Sequence, residues 1–191
     1  MNDVRSIILV GVGGQGTILA SKILSEGLMS AGYDVKMSEI HGMSQRGGSV
    51  VTYVRYGDKV YSPIVDKGEA DIILSFELLE AARWAEYLKE GGVLLTNTQK
   101  INPMPVITGA AKYPENLEEK LSALPIKLDA MDALSLAEKA GSAKTVNLVL
   151  LGRLSRYFNF DRKVWFDAIE QSVPQKFIDM NKQAFLSGAE A

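Results

Sequence analysis

Apolar and polar positions along this chain follow two alternating periods. Residues 6–10 (S-I-I-L-V) form a short unbroken apolar run that stops at glycine, the pattern of a parallel strand covered on both faces. Ala20, Ile23, Leu24, Gly27, Leu28 and Ala31 then recur at helical spacing, so a helix packs one stripe back onto that strand. Residues 34–40 read as a second strand. Residues 49–56 and 59–62 are β-rich runs joined at Gly57-Asp58, which predicts a hairpin inserted into a mixed sheet. Along 49–56, Val51, Tyr53 and Arg55 share one face, and Val50, Thr52, Val54 and Tyr56 the other. One face is expected on the core and the other against water or a partner.

The parallel theme resumes with a strand over 70–76 and a helix whose face is Leu78, Ala81, Ala82, Ala85 and Leu88, closed by Gly91-Gly92. A strand follows at 93–97. Pro103, Pro105 and Pro114 make 102–114 a loop or edge element. A helix over 117–124, a strand over 126–128 and a helix over 130–140 come next. The remainder reads as helical. Residues 146–154 are apolar almost all round, so that helix must be covered by its own domain or by another subunit, which leaves room for self-association of the isolated chain. Asp161 can cap 162–171, and Pro174 suits the first turn of a last helix with Phe177, Met180 and Ala184 on one face. The pattern predicts an α/β fold: one Rossmann-like three-layer domain over 1–191, with a mostly parallel sheet, an inserted β-hairpin and a helical C-terminus.

Composition narrows the chemistry. The chain has 191 residues, 47% apolar and 23% charged, enough for one core without staples. A net charge of −2 gives no electrostatic argument for nucleic acid or an anionic membrane. Cysteine is absent, which excludes disulfides, thiol catalysis and thiolate-held iron–sulfur clusters within this polypeptide. With a single histidine, a protein-only zinc site is not expected. No apolar run is long enough to span a bilayer, and no signal-like segment opens the chain, so the expected compartment is the cytoplasm.

Two glycine-bearing stretches carry the candidate chemistry. The first strand runs into G-V-G-G-Q-G, a G-x-G-x-x-G at Gly11, Gly13 and Gly16, with Gly14 and Gln15 inside it. A strand that bends sharply and turns backbone N–H groups toward an anion cannot carry side chains there. One reading is a dinucleotide with its pyrophosphate on the helix N-terminus and Glu39 on the ribose. The other is that the glycines allow close strand–helix approach or accommodate a different ligand or a partner chain. The second stretch is H-G-M-S-Q-R-G-G, in which His41, Ser44, Gln45 and Arg46 sit among Gly42, Gly47 and Gly48. A dinucleotide domain would place a crossover helix here. The planar donors of Arg46 suit a carboxylate, a phosphate or backbone carbonyls, and both loops leave the carboxyl ends of strands, so they are expected at one crevice.

G-V-G-G-Q-G followed by E-I-H-G-M-S-Q-R-G-G-S-V resembles the gamma-type domain of the 2-oxoacid:ferredoxin oxidoreductases over essentially the whole chain, in the form of the indolepyruvate-type small (beta) subunits. That resemblance implies a subunit of a multi-subunit enzyme, inactive alone, in which a larger alpha subunit holds thiamine diphosphate, magnesium and iron–sulfur clusters. The reaction implied is oxidative decarboxylation of an aryl pyruvate, with acyl transfer to coenzyme A as co-substrate and electrons passed to ferredoxin. The small subunit would pack near the thiamine site and help close over substrate or coenzyme A. Glu39 then becomes a coincidental match, and the glycine loop an interface or a coenzyme contact.

The ligand- or partner-binding candidates are therefore Gly11, Gly13, Gly14, Gln15, Gly16, His41, Ser44, Gln45, Arg46, Gly47 and Gly48, with no catalytic residue and no metal ligand assigned to this chain. Histidine is the residue type best suited to proton transfer near neutral pH, so His41 is a candidate acid–base, but a hydrogen-bonding role in its loop is preferred. Asn147, an amide inside an apolar helix, needs buried partners and is read as a packing residue. The alternative of different class is a free-standing NAD- or FAD-binding oxidoreductase built on Gly11–Gly16 and Glu39.

Overall fold

The computed structural model describes residues 4–41 and 48–191. The sheet strands are β1 (Arg5–Val12), β2 (Asp34–His41), β3 (Ser49–Gly57), β4 (Ala70–Ser75), β5 (Leu88–Asn97) and β6 (Lys127–Met131). They lie in the order β2-β3-β1-β4-β5-β6. β1, β4, β5 and β6 are successively parallel, whereas β3 runs antiparallel to both neighbours. The helices are α1 (Thr17–Ser30), α2 (Leu78–Trp84), the single turn α3 (Met104–Ile107), α4 (Leu117–Ser122), α5 (Ala133–Lys139), α6 (Val146–Ser155), α7 (Arg162–Ser172) and α8 (Ile178–Glu190).

Alternation along the strands divides the core into two. Ile7 and Leu9 point to a layer built by α1 and the C-terminal helices, together with Val54, Tyr56 and Leu74. Ile8 and Val10 point to the opposite layer, with Val51, Tyr53, Leu78, Ala81, Leu117 and Leu121. Helix layers cover both faces of β3, burying Val51 and Tyr53 on one and Val54 and Tyr56 on the other, so neither face is left over as a whole for water or a partner. Trp84 and Tyr87 complete the second layer: their rings lie 4.7 Å apart and Trp84 meets Tyr53 edge-on.

The antiparallel partners of β3 are β2 and β1, not residues 59–62. Both edges of β3 are occupied, and the backbone beyond Asp58 bonds to side chains instead. Val60 N–H donates to Asp34 Oδ2 at 2.9 Å, and Arg55 Nη1 donates to the carbonyls of Ser62 and Ile64. Gly91 and Gly92 do not close a helix either. Leu88 already pairs with Ala70, and the glycines sit in a register shift inside β5.

The apolar helix expected over 146–154 is α6, and this chain covers it. A Cβ on Gly152 would lie 1.9 Å from Phe185 O, and one on Gly188 1.8 Å from Val149 O, so α6 and α8 touch backbone to backbone. The buried face of α8 is Asn181, Ala184, Phe185 and Gly188, one position round from the face expected, and Phe177 stays 41% exposed. Arg153 of α6 forks onto Asp129 of β6 at 2.9–3.1 Å, and Tyr157 OH donates to the same carboxylate at 2.9 Å. Burial first, and then the Asp129 carboxylate, push Tyr157 up to about 12.

Candidate functional site

The glycine turn links β1 to α1 at the carboxyl edge of the sheet. Gly14 (φ 100°) and Gly16 (φ 79°) are left-handed, a region L side chains rarely enter. Gly16 caps α1 without a side chain and packs on Asn147: a Cβ there would lie 2.7 Å from Asn147 Nδ2, which donates to Gly16 O at 3.3 Å. Gln15 folds back on the turn. Its Oε1 accepts from Val12 N–H at 2.7 Å and its Nε2 donates to Phe76 O at 2.9 Å, so the amide ties the end of β1 to the end of β4. Gly11 makes room for it, since a Cβ there would lie 2.9 Å from Gln15 Oε1.

The second glycine stretch arrives at the same rim. Val12 is opposite Ser49 in the β1–β3 ladder, and Gly13 N–H donates to Gly48 O at 2.9 Å, so the two bends are hydrogen-bonded to each other. His41 ends β2 opposite Val50. Ser44, Gln45, Arg46 and Gly47 lie outside the described residues.

The same geometry removes the basis for a ribose-holding Glu39. β3 separates β2 from β1, so Glu39 lies two strand spacings from β1, roughly 10 Å rather than the ~5 Å of adjacent strands. Its carboxylate instead takes a long bond, 3.4 Å, from Ser21 Oγ on α1.

A cleft of about 530 Å³ opens beside the turn, lined by Gly14, Gln15, Gly16 and Leu19 on one side. Gln99, Ile101, Leu134, Lys144, Val146 and Asn147 line the other. Among the described residues Lys144 is its charged lining side chain and no acidic group lines it. Asn147 is 3% exposed, and among the described residues its Oδ1 has no hydrogen-bond partner.

Sequence reasoning passed over two buried carboxylates behind this rim. Glu77 caps α2, its Oε2 accepting from Glu80 N–H at 2.9 Å, and Glu80 takes Ser49 Oγ at 2.5 Å and Arg83 Nη1 at 2.7 Å. Ser49 therefore anchors the start of β3 to α2. The only signal was a charged residue ending the apolar run D-I-I-L-S-F-E. Burial, reinforced by the hydrogen bond to Glu77, raises the Tyr113 hydroxyl above its ordinary value.

Residues 6–191 match the family described as Pyruvate ferredoxin/flavodoxin oxidoreductase. The chain belongs to that family. It is 44% identical over 194 residues to indolepyruvate oxidoreductase subunit IorB of Thermococcus kodakarensis, covering 97% of this chain and 95% of that one. The subunit of the same name from Archaeoglobus fulgidus is 39% identical over 188 residues, covering 96% and 92%. Among solved structures, the keto/oxoacid ferredoxin oxidoreductase gamma subunit from Geobacter sulfurreducens superimposes with a TM-score of 0.72 at 25% identity, covering 97% and 96%. This family member thus has the α/β fold of an oxidoreductase gamma subunit, with its two glycine bends joined at one rim.

Proposed function

We propose that the chain is the small subunit of an indolepyruvate-type ferredoxin oxidoreductase, which oxidatively decarboxylates an aryl pyruvate to its acyl-coenzyme A and passes the electrons to ferredoxin. The observation that carries this reading is the near-full-length likeness to indolepyruvate oxidoreductase subunits. A chain without cysteine has no thiolate for an iron–sulfur cluster, so a larger alpha subunit would carry the clusters along with magnesium and thiamine diphosphate. Thiamine diphosphate supplies carbanion stabilisation. This chain's part is to bind and to exclude water. The joined bends, Gly11–Gly16 and His41–Gly48, would form the rim that meets the alpha subunit, with Ser44, Gln45 and Arg46 offering donors to it. The cleft beside them would take coenzyme A: Lys144 and the N-terminus of α1 suit phosphate, and Leu19, Ile101, Leu134 and Val146 suit an apolar arm. No described helix is long and apolar enough to cross a membrane, and the proposed setting is the cytoplasm.

Co-purification from the native host tests the reading. A large cysteine-rich thiamine protein is expected in fixed stoichiometry, and the complex should reduce ferredoxin only when both aryl pyruvate and coenzyme A are present. A chain that purifies alone and binds NADH or flavin saturably would overturn it.

A further inference from the structure

Residues 98–113 leave β5, pass through the single turn α3 and return toward α4. Both ends of this loop converge on one atom. Ile101 N–H donates to Glu77 Oε1 at 2.9 Å, and Tyr113 OH donates to the same oxygen at 2.6 Å. The other oxygen of Glu77 is taken by Glu80 N–H, so all three partners are donors that only a carboxylate can satisfy together. Glu77 is 1% exposed, and an acceptor so buried is costly to leave unmatched. Between the two clamps the loop presents Met104 and Ile107, 61% and 63% exposed. Just before the first clamp, Gln99 accepts from Leu78 N–H and Asn97 Nδ2, and Gln99 and Ile101 form a wall of the 530 Å³ cleft.

We propose that Glu77 is a positioning residue, whose buried carboxylate holds loop 98–113 against the sheet edge and thereby sets the cleft wall that Gln99 and Ile101 present to coenzyme A. This rests on the functional reading above for the identity of the ligand. It does not rest on it for the clamp. Glu77 touches no substrate; it acts through the loop.

The clamp has a convenient reporter. The peptide bonds after Lys100 and Lys112 directly precede the two clamped residues. Limited trypsin digestion of the full chain, read by mass spectrometry, is compared among wild type, Tyr113→Phe, Glu77→Gln and Glu77→Ala. Tyr113→Phe keeps the ring and removes one bond, so it folds. Its cleavage after Lys112 should rise roughly ten- to a hundredfold, the size of one lost hydrogen bond to a charged group. Glu77→Ala should expose both bonds, and Glu77→Gln should fall between, because its amide oxygen still accepts from one side. In complexes reconstituted with the alpha subunit, the KM for coenzyme A should rise in the same order, with kcat for the aryl pyruvate within about twofold. Unchanged cleavage in Tyr113→Phe and Glu77→Ala would overturn the proposal, as would faster cleavage with an unchanged KM. A wild-type complex without coenzyme A-dependent turnover is a failure of the functional reading, seen before any variant is compared; the clamp is then judged on the trypsin rates alone.

Discussion

Gly14 and Gly16 are both left-handed, yet their surroundings differ. A methyl at Gly14 meets nothing within 4 Å, whereas one at Gly16 runs into Asn147. Gly14→Ala should therefore cost only the backbone term, about 1–2 kcal/mol, and Gly16→Ala measurably more. In an Asn147→Ala background the gap between the two should close. Urea denaturation of the four proteins measures it, and equal costs in the parent background would show that Asn147 is not the obstacle. Gln15→Glu should also destabilise, by about 1–3 kcal/mol, because a carboxylate can accept from Val12 N–H but cannot donate to Phe76 O. The glycines were legible in the sequence because their reason is local backbone geometry. The work of Gln15 was not: it reads as a ligand donor, while its partner Phe76 lies 61 residues away. Glu77 was hidden in the same way, since Ile101 and Tyr113 lie 24 and 36 residues on.

For whole elements, period and caps carried the sequence reading where each segment answered to one neighbour. α1 and the Asp161 cap of α7 lie where the pattern put them, with Asp161 accepting from Lys163 N–H. The reading failed where tertiary pairing decided, as at Leu88, which looked like the end of a helix stripe and instead opens β5 against Ala70. The α6–α8 contact was also invisible, because nothing local marks Gly152 and Gly188 as facing each other's helix. Alanine at either should cost at or above the upper end of the roughly 1–3 kcal/mol of ordinary overpacking, since it meets backbone rather than a movable side chain. Thermal unfolding would expose a mild effect as a contradiction. Tyr157 adds a pH signature. Its folded pKa is raised to about 12 from an ordinary value near 10, so its contribution is complete below pH ~10 and lost as pH rises through about 12. The stability difference between wild type and Tyr157→Phe should be flat below that window and shrink across it.

The molecule as a whole closes on itself late in the chain. β1 is covered on one side by helices that include α6, and α6 is covered in turn by α8. Removal of residues 174–191 should therefore uncover the face of α6 that carries Val149 and Gly152 and leave a chain without cooperative unfolding. A sharp thermal transition in that truncation would show that α8 is dispensable. The single domain proposed over 1–191 should likewise unfold in one step.

The β1–β3 ladder has an implication for how such proteins vary in length. It is in register from Arg5–Tyr56 to Val12–Ser49 without interruption, so β3 works as a ruler that delivers Gly48 to Gly13. Gaining or losing one residue within it would move that delivery point by about 3.4 Å and send every later side chain to the wrong layer. Insertions and deletions should collect in the stretch after β3, around Tyr61 and Ile64, and spare the ruler.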